Sequence, residues 1–275
     1  MSAATAADPR KHVARKRFGQ NFLIDRCVID AIVRAIAPCA DDLLVEIGPG
    51  LGALTEPLIA AWRAVGASEN PFHVIELDRD LAAQLRQRFS ADQLIVHAAD
   101  ALAFDYAQLA SPTHPRIRIV GNLPYNISSP LLFHLAAYAS TIIDQHFMLQ
   151  REVVLRMVAD AGTSDYGRMS VMLQVRYEME MLFEVPATAF EPAPKVTSAL
   201  VRMRPRPPAA AGITDFARFE KLVAQAFSQR RKMLRNSLKG YSAALEAIGI
   251  APTSRAEDVP VNAYVALANA IAATP

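Results

Sequence analysis

Asn122-Leu123-Pro124-Tyr125 is the stretch of this chain whose residue types fit one chemical task most closely. An adenine N6 amino group is a poor nucleophile, because its lone pair is delocalised into the ring. A site can help by accepting hydrogen bonds from both amino hydrogens. The side-chain oxygen of Asn122 and the backbone carbonyl of Leu123 are suitable acceptors. Pro124 fixes the local backbone and so preorganises them. Tyr125 offers a flat face for a base to stack on, a contact worth about 1–3 kcal/mol in single-strand binders. No strong general base is needed, since the proton can leave after the electrophile has arrived. The alternative is a simple Asn-x-Pro turn with a buried tyrosine. Position favours chemistry: the tetrapeptide closes the apolar run Ile117–Val120, downstream of a glycine loop. Ligands of open parallel sheets bind at such strand ends.

That glycine loop is Gly48-Pro49-Gly50-Leu51-Gly52, fed directly by Leu43–Ile47 and followed by a helical pattern. Strand, glycine turn and helix form the layout that holds a nucleoside cofactor, because glycine permits positive φ and close backbone approach. An ordinary tight turn is the plainer reading. Gly48-x-Gly50-x-x-Ala53 also satisfies the dinucleotide pattern, so the loop alone does not separate NAD from S-adenosylmethionine. Glu76 and Asp78 end the next apolar run, where a carboxylate can accept from both ribose hydroxyls. They can equally be solvated residues capping the following helix. Asp100, after the third run, is placed to accept from an adenine amino group, although a strand-end aspartate is usually a cap. Glu46 stands just before the loop, where it can orient amides or meet a cationic ligand. Asp100 and Glu46 together favour S-adenosylmethionine.

The elements that must position these residues follow from periodicity. Leu43–Ile47, Phe72–Leu77, Leu94–His97 and Ile117–Val120 read as buried strands; Leu54–Trp62, Leu81–Phe89 and Pro130–Tyr138 read as helices, as do the apolar positions of 28–36. This alternation predicts an α/β fold with a Rossmann-like parallel sheet covered by helices on both faces. Arg204-Pro205-Arg206-Pro207-Pro208, running into alanines and Gly212, cannot continue a helix or central strand, so a domain boundary is expected there. Residues 1–207 then form the catalytic domain with a basic N-terminal arm, and residues 208–275 a small all-helical domain. Arg230, Arg231, Lys232 and Arg235 form the densest basic cluster. Arg231, Arg235 and Lys239 fall at i, i+4 and i+8, one face of a helix, and no acids interleave. RNA phosphate is the expected partner of this face, a solvated surface the alternative.

Composition sets the outer limits. The chain has 275 residues, 52% hydrophobic and 20% charged, which excludes wholesale disorder and fibrous repeats. A net charge of +2 names no partner by itself. Cys27 and Cys39 lie among apolar residues and are expected to be reduced core thiols. The scattered histidines show no metal-ligand spacing, so no metal is expected. No signal peptide or membrane span is evident, and a cytoplasmic monomer is the expectation.

Four motifs bring a resemblance. Lys16-Arg17-Phe18-Gly19-Gln20-Asn21-Phe22-Leu23, Glu46-Ile47-Gly48-Pro49-Gly50, Asn122-Leu123-Pro124-Tyr125-Asn126-Ile127-Ser128 and Phe190-Glu191-Pro192-Ala193-Pro194-Lys195-Val196-Thr197-Ser198 occur in this order. Together the chain resembles the KsgA/RsmA family of ribosomal RNA adenine dimethyltransferases, class I S-adenosylmethionine-dependent enzymes. The resemblance implies dimethylation of two adjacent adenosines in a hairpin near the 3′ end of 16S ribosomal RNA, in the assembling small subunit. It implies that Asn21 and Leu23 line the cofactor pocket, that Gly48 contacts the cofactor, Glu76 its ribose and Asp100 its adenine. Asn122 would contact cofactor and target amino group alike, and Phe190 would sandwich the target base opposite Tyr125. Pro192 and Pro194 make a stiff loop able to hold that ring, and a core role for Phe190 is the alternative.

Three other functions compete. A DNA adenine-N6 methyltransferase would share Asn122–Tyr125 but needs more sequence-reading chain than follows the linker. A dinucleotide oxidoreductase would need a catalytic His, Tyr-Lys or Cys constellation, which is missing. A non-catalytic assembly factor is compatible with all these residues.

Overall fold

The computed structural model describes residues 20–66, 71–111, 114, 116–207, 212–229 and 232–272. After the short strand β1 (Phe22–Leu23) comes helix α1 (Arg26–Ile36). The Asp25 side chain caps α1 by accepting from the amides of Cys27 and Val28. Strand β2 (Leu44–Ile47) is buried along its whole length, as a strand covered on both faces must be. Alternating elements follow: α2 (Thr55–Ala64), β3 (Phe72–Ile75), α3 (Arg79–Arg88), β4 (Leu94–His97), β5 (Ile117–Asn122), α4 (Ser128–Ala136) and β6 (Ile142–Gln150).

Then come α5 (Arg151–Val158), α6 (Arg168–Gln174), β7 (Tyr177–Val185), β8 (Phe190–Glu191) and β9 (Ser198–Pro205). Seven strands form one sheet in the order β4-β3-β2-β5-β6-β9-β7. The pairs β3/β4, β2/β3, β2/β5 and β5/β6 are parallel. The chain moves outward from β2 through β3 to β4, then returns to pair β5 on the other side of β2. Strand order therefore reverses between β2 and β5, the crevice in which doubly wound sheets bind ligands. The glycine loop leaves β2 there, and Asn122 ends β5.

One glycine makes that close approach possible. A Cβ on Gly121 would stand 2.5 Å from the Ile47 carbonyl oxygen, closer than any side chain can sit. Only glycine lets β5 pass the end of β2 at this point.

The sequence predicts four strands of the sheet and passes over β6, β7 and β9. In β6 the polar run Asp144-Gln145-His146 hides the strand. Asp144 is buried and pairs with the Arg118 guanidinium at 2.9 Å, a tertiary compensation that local patterning does not reveal.

Contacts divide the chain into two compact units: residues through Gln150 with Leu182–Leu200, and Arg151–Met181 with the residues from Val201 onward. This differs from a single cut after residue 207. In the second unit Tyr166, Val171 and Met172 share an apolar cluster with Phe219, Leu222 and Val223 of α7 (Phe216–Ala226) and with Tyr264 and Leu267 of α10 (Val261–Ala272). Helices α8 (Leu234–Ser237) and α9 (Ser242–Ala247) complete the C-terminal set.

Cys27 and Cys39 are exposed rather than the expected core thiols. Cys27 lies off the face of α1 that buries Ile29, Ile32 and Ile36. The basic stretch does not form a long helical face either. Met233 is extended and bridges Arg255, the Leu234 amide donates to the Ser254 carbonyl, and α8 spans four residues only.

Candidate active site

A cavity of about 310 Å³ opens at the reversal point between β2 and β5, within the size range of small-ligand sites. Asn21, Leu23, Gly48, Glu76, Asp100, Asn122, Leu123, Pro124 and Tyr125 all line it. Phe190 does not. Its ring is 3% exposed and belongs to the core cluster of Leu23, Leu54 and Val185. Strand β8 pairs with β1, Leu23 opposite Phe190, so the residue braces the pocket wall from behind. The expected two-sided aromatic clamp is not formed, because the pairing with β1 turns Phe190 into the core.

The loop after β2 is held from both sides. The Gly48 amide donates to the Ile75 carbonyl at 2.9 Å. The Gly50 amide donates to Glu76 Oε2 at 3.1 Å, and Glu76 Oε1 accepts from the Asp78 amide at 2.8 Å. Gly48 and Gly50 have φ of 67° and 57°, the left-handed region that favours glycine. Phe22 leans over the loop: a Cβ on Gly50 would meet its ring at 3.1 Å. Glu76 is buried, and burial raises its carboxyl above the usual range. The Leu77 amide acts on the same carboxyl, so three amides hold it and acceptor capacity remains for a ribose hydroxyl. Asp78 caps α3 through the Asp80 amide but is buried rather than solvated, and Glu76 is buried too and holds the glycine loop instead. Asp100 Oδ1 accepts from the Leu102 amide at 2.9 Å, leaving its second oxygen beside the cavity.

Glu46 lies beneath the loop and is buried. Its partner is the Thr55 hydroxyl, which donates to Oε2 at 2.6 Å, rather than a loop amide. Burial, with a smaller repulsion from Glu76, pushes its carboxyl up to about 8.

At the end of β5, Asn122 Nδ2 donates to the Asn21 carbonyl at 3.0 Å. A carbonyl can only accept, so this bond fixes which end of the amide points where. Asn122 Oδ1 and the Leu123 carbonyl accept no hydrogen bond from the described residues, and both residues line the cavity. The turn itself is pinned: the Leu123 amide donates to the Met148 carbonyl at 3.2 Å, and Ser128 Oγ donates to the Pro124 carbonyl at 3.0 Å. Tyr125 is half-buried, its hydroxyl 2.7 Å from Ser198 Oγ. Sequence reasoning missed Gly121 and Thr55, and gave Ser198 no role although it closes the Phe190–Ser198 motif. Gly121 carried a signal, a glycine immediately before Asn122; Thr55 carried none.

Lys232 and Arg235 are exposed, as an RNA contact requires. Arg230 and Arg231 lie outside the described residues. Among the described residues no group of three or more His, Cys, Asp or Glu is placed to hold a metal, and no helix is long and apolar enough to cross a membrane.

A family model described as ribosomal RNA adenine dimethylase matches residues 11–273. A protein of Burkholderia multivorans named Ribosomal RNA small subunit methyltransferase A is 58% identical over 266 residues, covering 96% of this chain and 95% of that protein. One of the same name from Chromobacterium violaceum is 54% identical over 261 residues, covering 94% and 96%. A solved dimethyladenosine transferase from Plasmodium falciparum shares the fold at a TM-score of 0.75 and 23% identity, over 90% of this chain and 95% of that one. The 23S rRNA methyltransferase ErmE matches at a TM-score of 0.67 and 28% identity, over 92% and 100%. The fold is the Rossmann-like one of class I S-adenosylmethionine-dependent methyltransferases.

Proposed function

Since this chain belongs to the ribosomal RNA adenine dimethylase family, we infer that it transfers methyl groups from S-adenosylmethionine to N6 of two adjacent adenosines in a hairpin near the 3′ end of 16S ribosomal RNA. The observation that carries this reading is the Asn122 amide. Asn21 holds its NH₂ end, so Oδ1 faces the same cavity as the glycine loop.

The residues present fit the cofactor. Gly48 offers backbone unobstructed by a side chain, Glu76 its remaining acceptor capacity for a ribose, and Asp100 one oxygen for an adenine amino group. Asn21 and Leu23 close the pocket from the N-terminal side. When bound, S-adenosylmethionine supplies an activated methyl group on a sulfonium. The chain's own part is to orient the acceptor. In the first transfer Asn122 Oδ1 and the Leu123 carbonyl accept from the two N6 hydrogens, and in the second one of them accepts from the single hydrogen left; this aims the nitrogen lone pair and stabilises the positive charge that develops on it. The proton then leaves to water, and no residue acts as a strong base. Tyr125 stacks on one face of the extruded base, offsetting part of the few kcal/mol that extrusion costs. With Phe190 in the core, this stack is one-sided.

Lys232 and Arg235, with Arg230 and Arg231, supply phosphate contacts, and the helices after residue 207 serve docking on folded RNA by shape. The family and chemistry fit a cytoplasmic monomer acting on the assembling small subunit. The test is a paired one. Calorimetry compares S-adenosylmethionine with NAD, and labelled methyl transfer compares undermethylated small subunits with duplex DNA. Binding of S-adenosylmethionine and transfer to the subunits are expected. Binding of NAD alone, or label in DNA only, would overturn the assignment.

A further inference from the structure

We propose that Ser198 is a positioning residue for the target base, acting through Tyr125. The proposal rests on the stacking role of Tyr125 given above and extends it. Pro124 fixes backbone next to Tyr125 but not the tyrosine's side-chain torsions. A ring held only at its Cβ swings through χ1 and χ2, and its face then presents no single plane to a base. The structure holds the far end as well. The Tyr125 hydroxyl and Ser198 Oγ lie 2.7 Å apart, and neither side chain has another hydrogen-bond partner among the described residues.

Ser198 is suited to be the fixed point. It is the first residue of β9, fully buried in a strand of the central sheet. It does not line the cavity, so any effect on the reaction must pass through the ring it holds. Burial raises the Tyr125 phenol, so the hydroxyl keeps its proton and the bond persists at neutral pH.

This assigns work to the Phe190–Ser198 motif that Phe190 does not do. One end of the segment, Phe190, pairs with the strand that closes the cofactor side. The other end, Ser198, anchors the aromatic face on the substrate side. It also explains a tyrosine at position 125 where a phenylalanine would stack as well: the hydroxyl serves the anchor, not the methyl transfer.

The test is a double-mutant cycle read in single-turnover methyl transfer at saturating S-adenosylmethionine and undermethylated subunits, with cofactor affinity measured alongside. Ser198→Ala and Tyr125→Phe each remove the same hydrogen bond. Each is expected to slow transfer about 3- to 10-fold without changing cofactor affinity, and the double variant to be no slower than either single one. Tyr125→Ala, which removes the stacking face itself, is expected to be slower than both. Transfer at the parent rate in Ser198→Ala would overturn the proposal. So would an undiminished Ser198→Ala loss in the Tyr125→Phe background, which marks a purely structural role. Tyr125→Phe tests the anchor with Ser198 in place if Ser198→Ala does not fold. Parent-rate transfer by Tyr125→Ala would instead overturn the stacking reading on which the proposal stands.

Discussion

Replacing Asn122 by alanine separates the chemistry of this site from its docking functions, and the structure sets the size of each effect. The side chain makes one bond to the protein, from Nδ2 to the Asn21 carbonyl at 3.0 Å. Losing it leaves one carbonyl of the pocket wall without that donor, a cost of about 1 kcal/mol, or under tenfold in whatever depends on the wall. The other end of the amide is one of the two acceptors offered to N6. Its value is greatest in the transition state, where the nitrogen gains positive charge. Removal of one preorganised group from a comparable charge-stabilising site lowers kcat about 100- to 1000-fold, or about 2.7–4 kcal/mol of barrier. The second term dominates. Asn122→Ala is therefore expected to bind subunits like the parent, to bind S-adenosylmethionine within about tenfold, and to lose about two to three orders of magnitude in single-turnover transfer. Asn122→Asp adds a sharper check. It keeps an acceptor for N6 but sets a second carboxylate oxygen against the Asn21 carbonyl, so transfer is expected to stay low. Turnover within tenfold of the parent in Asn122→Ala would refute the acceptor argument.

Three further outcomes are expected. Gly121→Ala forces a methyl group to within 2.5 Å of the Ile47 carbonyl; a stability loss of about 1–3 kcal/mol or more is expected, and a denaturation midpoint equal to the parent's would contradict the close approach. Lys232→Glu with Arg235→Glu should weaken subunit binding and flatten its salt dependence, while methyl transfer at saturating subunit concentration persists; unchanged affinity at low salt would make these residues a solvated face. His73, packed on His97 with their ring nitrogens 3.0 Å apart, is held down to about 4 by burial, and His97 adds repulsion. The unfolded chain takes up this proton near 6.5, so the folded state loses stability as pH falls from 6.5 towards 4. His73→Gln should shrink that loss in a series of denaturation midpoints, and an identical pH profile in the variant would count against it.

How far the fold was legible depended on whether its signals were local. Strands β2 to β5 are short apolar runs, β2, β3 and β5 closed by glycine, glutamate and asparagine, and periodicity placed them within a residue or two. Asn122, Glu76 and Asp100 stood out for the same reason, as polar residues where an apolar run stops. Strand β6 was hidden because Asp144 within it is neutralised by Arg118, a partner 26 positions earlier in sequence and on the neighbouring strand. The basic helix failed for a related reason. Its i, i+4, i+8 spacing is real, but backbone bonds from Leu234 and Arg235 to Ser254 and Pro252 hold the segment in another shape. Phe190 shows the limit most clearly. Its motif points to a site, while its burial is decided by pairing with Leu23, which local sequence does not record. Cys27 and Cys39 were misplaced because apolar neighbours in sequence do not fix which face of a helix or loop a side chain takes.

The enzyme is defined by which nucleotides it modifies. The direct measurement supplies undermethylated small subunits and large subunits together with the protein and S-adenosylmethionine, then maps dimethyladenosine by mass spectrometry of RNA fragments. Two adjacent dimethylated adenosines in one hairpin near the 3′ end of 16S RNA, with the large subunit unmodified, is the expected outcome. Modification of 23S RNA, or of isolated adenosines elsewhere, would contradict it.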